Sequence, residues 1–305
     1  MREQEALDPV APEKKQKRHF ILLVLLLAVV FIFAGQLIGF VLMDIVAHLV
    51  PNASDSVVFL FDYLAFIGID ALVLLYCAKF EKDIFRSFLS ARHGSRGNTG
   101  KNFALGLLFG FLLNGCCILV AWLHGDLDFS VGRFDLVYLL AALLCVIVQS
   151  GAEELVTRGY MLGALRRRYP VWLAIAANAL LFGALHLANP GFTVLSMLEI
   201  VCIGLVLSFV VYDLDSIWMA IAIHTAWNFT QNFLFGLPNS GIVSKGSFLH
   251  LEAAKDSAFY DVGFGVESTV TAVLVVALFG AAVVLYARKK NRGETEQSII
   301  TEERT

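Results

Sequence analysis

Apolar residues run along this chain in stretches of roughly 20, the length an α-helix needs to cross the core of a bilayer. The stretches fall at 20-43, 57-78, 103-123, 136-157, 171-189, 192-212, 217-235 and 268-287, with short polar segments between them. The first follows Lys14, Lys15, Lys17 and Arg18. That start resembles a signal peptide, but the apolar core is too long and no small-residue cleavage site follows, so a retained helix is expected. The pattern predicts an all-α fold: a polytopic membrane helix bundle of about eight transmembrane helices.

The basic residues supply an orientation, because cytoplasmic loops carry the Lys and Arg excess. With the N-terminus inside, the inner segments hold Lys79, Lys82, Arg86, Arg92, Arg96 and Lys101, then Arg158 and Arg166 to Arg168, then Arg288, Lys289, Lys290 and Arg292. The outer connections hold little: none at 44-56 or 190-191, Arg133 in 124-135, and Lys245 and Lys255 in 236-267. The expected organisation is a cytoplasmic tail 1-19, N-terminal transmembrane helices 20-135, a central core 136-235, an extracytoplasmic loop 236-267, a last helix 268-287 and a cytoplasmic tail 288-305. The polar ends, 1-18 and 291-305, cannot bury enough apolar surface to fold and are expected to be disordered. The loop 236-267 either caps the outer face or simply connects helices.

Composition agrees with the pattern. The 305 residues are 58% apolar and 16% charged, against roughly 25% charged in an ordinary soluble domain. The expected home is the cell membrane, as a multi-pass protein with the lipid bilayer as its partner. A net charge of -3, with no extended basic face, excludes a nucleic-acid role. Cys77, Cys116, Cys117, Cys145 and Cys202 lack metal-type spacing and read as small buried hydrophobes.

Ionisable residues inside the apolar stretches stand out, since a charge at the bilayer centre costs about 2.5 to 3.5 kcal/mol and marks a functional site by default. The fourth stretch ends in Gln149-Ser-Gly-Ala-Glu153-Glu154-Leu-Val-Thr-Arg158. Glu154 and Arg158 share a helix face in the acid-first order that suits an ion pair, while Glu153 is turned about 100° away and left free for proton chemistry. An ordinary helix end at the inner surface would also place acids and an arginine there. The fifth stretch puts Phe182 and His186 on one face, with Asn178 and Asn189 not far round it, and the seventh does the same for His224 and Asn228. Asp62, Asp70, Asn114 and Glu199 are intramembrane polar groups outside these patterns. Glu199 is the best placed of them to line a cavity, although a helix–helix hydrogen bond would also account for it.

Together the three segments resemble the CPBP family of intramembrane endopeptidases, which includes CAAX prenyl proteases of the Rce1 type and bacteriocin-processing and immunity proteins. Its motifs EExxxR, FxxxH and HxxxN occur in order as Glu153-Glu154-Leu-Val-Thr-Arg158, Phe182-Gly-Ala-Leu-His186 and His224-Thr-Ala-Trp-Asn228. The resemblance covers about 136-235. It implies that Glu153 activates a water with help from His186, that His224 and Asn228 stabilise the oxyanion, and that Glu154 with Arg158 orients the site. The expected substrate is a membrane-embedded or membrane-tethered peptide, cleaved in a cavity open to the cytoplasmic side. Two histidines and a glutamate can also bind catalytic zinc or another divalent metal; HExxH is absent, and a metal-free mechanism stands equally open. Two other functions compete. One is a non-proteolytic immunity or scaffold protein. The other is an ion-coupled transporter relaying protons through Glu153, Glu199, Asp62 and the histidines, against which the lack of inverted repeats weighs.

Overall fold

A computed structural model describes residues 20–302 except Arg133, with side chains described as far as Lys290. The tail 1-19 and the outer charge at Arg133 therefore lie outside the described residues. Helix α1 spans Ile21–Leu49, α2 Asp55–Leu64, α3 Ile67–Phe80, α4 Lys82–Phe88 and α5 Gly100–His124. After strand β1, Leu127–Val131, come α6, Leu136–Glu154, a π-helical turn, Leu155–Met161, and α7, Leu162–Leu165. Then follow α8, Val171–Leu185, α9, Val194–Leu214, and α10, Ile217–Phe229, which runs into a second π-helical turn, Thr230–Leu234. Strand β2, Leu249–Ala254, and α11, Val270–Glu302, complete the order.

This is a polytopic helical membrane protein. Among the described residues, six helical segments are long and apolar enough to cross a bilayer: Ile21–Leu49, Asp55–Phe80, Gly100–His124, Leu136–Leu165, Val194–Leu214 and Val270–Lys290. The other two expected stretches form shorter helices, α8 of 15 residues and α10 of 13. Most of α10 is buried, packed chiefly on α5 and α6, so it needs less length than a helix facing lipid. Two further expectations change. Helical backbone runs on through the polar segment 291–302. The fourth helix does not stop at the acids either; its helical path continues to Leu165, because Arg158 is buried rather than at a surface.

Small residues bring the helices close, which matters in lipid, where apolar surface alone gives helices little reason to associate. Gly35 and Gly39 on α1 meet α3: a Cβ on Gly39 would lie 1.6 Å from the Ala65 carbonyl oxygen, and one on Gly35 2.6 Å from Ile69 Cα. The same spacing recurs on α5, where a Cβ on Gly106 would sit 2.7 Å from the Met219 carbonyl oxygen and one on Gly110 2.2 Å from that of Ile223. The second contact sets the depth of α10, which carries His224 and Asn228. Gly110→Ala is expected to destabilise by about 1–3 kcal/mol through overpacking. Gly115→Ala on the same helix, where a Cβ meets nothing within 4 Å, should show no loss. Unfolding midpoints of the two variants in detergent test this.

The segment 236–267 is a cap rather than a simple connection. Its strand β2 pairs antiparallel with β1, from Leu127 opposite Ala254 to Val131 opposite Leu249, with one irregularity between Asp128 and Phe129. This two-stranded ribbon is the one departure from the all-α expectation among the described residues. Asp126 ties the cap to the end of α5. Its carboxylate accepts from Ser257 Oγ at 2.5 Å and lies 3.0 Å from His124 Nδ1, while its backbone carbonyl accepts from the Lys255 amide.

Candidate active site

Helix α6 brings two adjacent carboxylates to the middle of the bundle and gives them different surroundings. Glu154 is fully buried, with Arg158 Nη1 2.8 Å from its Oε1. The guanidinium also donates to Thr157 Oγ1 at 3.0 Å and lies 4.1 Å from the centroid of the Phe182 ring. That ring face gives a buried cation a favourable quadrupole, and here it faces a guanidinium whose Nε and Nη2 have no hydrogen-bond partner among the described residues. Gly204 on α9 leaves the space: a Cβ there would come 3.2 Å from Nη2. Arg158 sits in the π-helical turn, a distortion common at functional sites, and Asn178 of α8 donates to the Thr157 carbonyl oxygen at 2.7 Å.

Glu154 holds a second group. His224 Nδ1 lies 3.0 Å from the same Oε1, and His224 Nε2 lies 3.7 Å from Glu153 Oε2. A carboxylate on Nδ1 fixes the proton there and turns Nε2 toward Glu153. Phe182 separates the two imidazoles, its ring centroid 4.9 Å from His186 and 5.9 Å from His224. His186 Nδ1 is 2.8 Å from the Phe182 carbonyl oxygen, which leaves Nε2 as the nitrogen free for a ligand.

A chain of amides leads from Glu153 to the cap. Gln149 Nε2 donates to Glu153 Oε1 at 2.7 Å, and Gln149 Oε1 accepts from Asn228 Nδ2 at 3.1 Å. Asn239 Nδ2 is shared between Asn228 Oδ1 at 3.3 Å and Glu267 Oε1 at 2.8 Å. Glu267 Oε1 also accepts from Trp227 Nε1 at 3.0 Å, and its Oε2 from Ser240 N at 2.5 Å and Ser240 Oγ at 2.9 Å.

These groups surround a cavity of about 520 Å³. Of the residues singled out in the sequence, Glu153, His186, His224 and Asn228 line it, while Glu154 and Arg158 stand behind its wall. Asp62 and Glu199 line it as well. Asp70 and Asn114 do not; Asn114 instead donates to Gln231 Oε1 at 2.6 Å. Phe33, Gln36 and Phe40 of α1 also line the cavity, and the two phenylalanine side chains face outward as well, 67% and 47% exposed. Sequence reasoning gave no role to Gln149, Asn239, Ser240 or Glu267. Gln149 was detectable, four residues before Glu153 on one face, whereas the cap residues follow no period.

The residues do not form a preassembled metal site. Among the described residues no three His, Cys, Asp or Glu side chains gather as metal ligands would. His224 Nδ1 is engaged by Glu154 and His186 Nδ1 by a backbone carbonyl, so Nε2 is the ring nitrogen that each imidazole keeps for a ligand.

Comparison with known proteins points the same way as the motifs. Residues 135–230 match the family model described as type II CAAX prenyl endopeptidase Rce1-like. The match contains all three motifs, so this segment is similar at family level to CAAX-type endopeptidases. One similar curated protein is the uncharacterized protein YyaK of Bacillus subtilis (strain 168), 28% identical over 185 residues. That alignment takes in 56% of this chain and 55% of YyaK, so the chain spans about half the length of this relative. No solved structure matches.

Proposed function

We propose that the protein is an intramembrane endopeptidase in which Glu153 activates the attacking water. The observation that carries this reading is the unequal state of the Glu153 oxygens: Gln149 holds Oε1, while Oε2 is buried beside His224 Nε2 without a hydrogen-bond partner among the described residues. A general base must be held in place and yet keep one oxygen for the proton it takes. Water bound to Oε2 attacks the peptide carbonyl carbon and its proton passes to Glu153. The oxyanion receives hydrogen bonds from Asn228 and from the Nε2–H of His224 as an imidazolium whose Nδ1–H is held by Glu154, donors fixed before the charge develops. Glu153 then returns the proton to the leaving amide nitrogen as the C–N bond breaks, and His186 helps to position the water. Glu154 and Arg158 act one step back, by orienting His224.

The peptide enters from the membrane, past Phe33 and Phe40 of α1, which line the cavity and also face outward. With the N-terminus inside, as the basic residues indicate, the cap closes the outer end of the cavity and leaves the cytoplasmic side for product release. No step in this scheme requires a metal.

The test uses full-length protein in lipid nanodiscs with fluorescent membrane-tethered peptides. Wild type is expected to cleave at least one peptide class, and His186→Ala to lower the rate by at least about 100-fold. Activity should survive exhaustive chelation. Undiminished cleavage by His186→Ala would remove the assignment, and loss on chelation that zinc restores would replace the glutamate mechanism with a metal-dependent one.

A further inference from the structure

The cavity holds more acid than hydrolysis uses. Asp62, Glu153, Glu199 and Glu267 line it, and among the described residues no Lys or Arg does. Arg158, the nearby cation, is committed to Glu154 behind the wall. Glu267 receives four donors, from Trp227, Asn239 and Ser240 twice. Its two oxygens are thereby taken up by groups of α10 and of the cap.

Glu199 is different. It lies in the second turn of α9, is 2% exposed, and its Oε1 has no hydrogen-bond partner among the described residues. It is within electrostatic reach of Glu267, whose oxygens are already engaged by Trp227, Asn239 and Ser240. A buried carboxyl oxygen left unmatched is costly, so this oxygen is built to meet a donor that the chain does not supply. Ile200, Ile203 and Leu207 on the same helix also line the cavity, giving an apolar path toward that end. Two carboxyls at the end of an apolar path suit a cation on an apolar stem, which buries its methylenes and presents its charge at the tip.

We infer that the Glu199 end of the cavity is a specificity subsite for a basic side chain, lysine or arginine, in the peptide substrate. Glu199 receives the charged head, and Glu267, anchored by the cap, supplies a second carboxyl nearby. That the occupant is a peptide rests on the endopeptidase reading; that it is cationic rests on the lining alone.

The experiment measures binding without turnover. Two otherwise identical apolar membrane-spanning peptides, carrying one lysine or one norleucine at matched positions scanned along the peptide, are titrated against the full chain in nanodiscs by fluorescence. At one position the lysine peptide is expected to bind at least tenfold more tightly. Glu199→Gln should reduce that ratio to below twofold and leave norleucine binding unchanged; Glu199→Met provides the same comparison should the glutamine variant misfold. Equal binding of the two peptides to wild type at every position, or a lysine preference that survives both substitutions, would overturn the subsite. A lysine preference that depends on Glu199 while neither peptide is cleaved would uphold the cationic subsite and refute the endopeptidase reading.

Discussion

Arg158→Met is expected to cost about 3–5 kcal/mol of stability, the loss that follows when one member of a buried ion pair is removed and the other stays as an uncompensated charge. Both partners are buried and four residues apart, and the arginine is the nearest compensation for Glu154. The double variant Glu154→Met, Arg158→Met should recover most of that loss, since apolar groups of similar volume can replace a buried pair at little net cost. Catalysis should stay lost in the double variant, because His224 Nδ1 would no longer have Glu154 Oε1 at 3.0 Å to hold it. Unfolding midpoints alongside peptide cleavage separate the two effects. A single variant as stable as wild type would mean that Glu154 does not depend on Arg158, and recovery of cleavage in the double variant would deny the pair its role in orienting His224.

The membrane bundle and its central polar residues were legible in the sequence because both follow helix geometry. Stretches of about 20 apolar residues mark spanning segments, and spacings of four place Glu154 with Arg158, Phe182 with His186 and His224 with Asn228 on common faces. What was not legible depends on contacts between distant parts of the chain. Arg158 beside Arg166 to Arg168 looked like the inner end of a helix; only the Phe182 ring and the space at Gly204 explain why it is buried. The shortness of α10 follows from its burial against α5 and α6, which hydropathy along a single segment does not reveal. The spacing of Gly35 with Gly39 and of Gly106 with Gly110 is visible in the sequence, but their partner helices are not. The cap is the largest surprise, since Asn239 meets Asn228 and Glu267 across a loop with no periodic signal. A hint lay in Leu249-His-Leu-Glu252, whose alternation is that of a strand.

Glu153→Gln is expected to lower peptide cleavage by roughly 10²- to 10⁴-fold, the contribution of a positioned general base, with little change in stability. The substitution is nearly isosteric, and its amide oxygen can still accept from Gln149 Nε2, the contact that holds Oε1 at 2.7 Å. What disappears is the basic oxygen beside His224 Nε2. Glu153→Asp draws the carboxylate back by one methylene and, since a displacement of about 1 Å in a reacting group can cost 10²-fold, should fall between wild type and glutamine. Glu154→Gln is the informative contrast. Its amide oxygen can still accept from His224, so the rate should drop less than in Glu153→Gln, while the loss of charge beside Arg158 lowers stability. Adjacent glutamates would thus respond in opposite senses, one mainly in rate and one mainly in folding. Equal rate losses in the two variants would mean that both carboxylates share the proton, and the separate roles drawn from their surroundings would not hold.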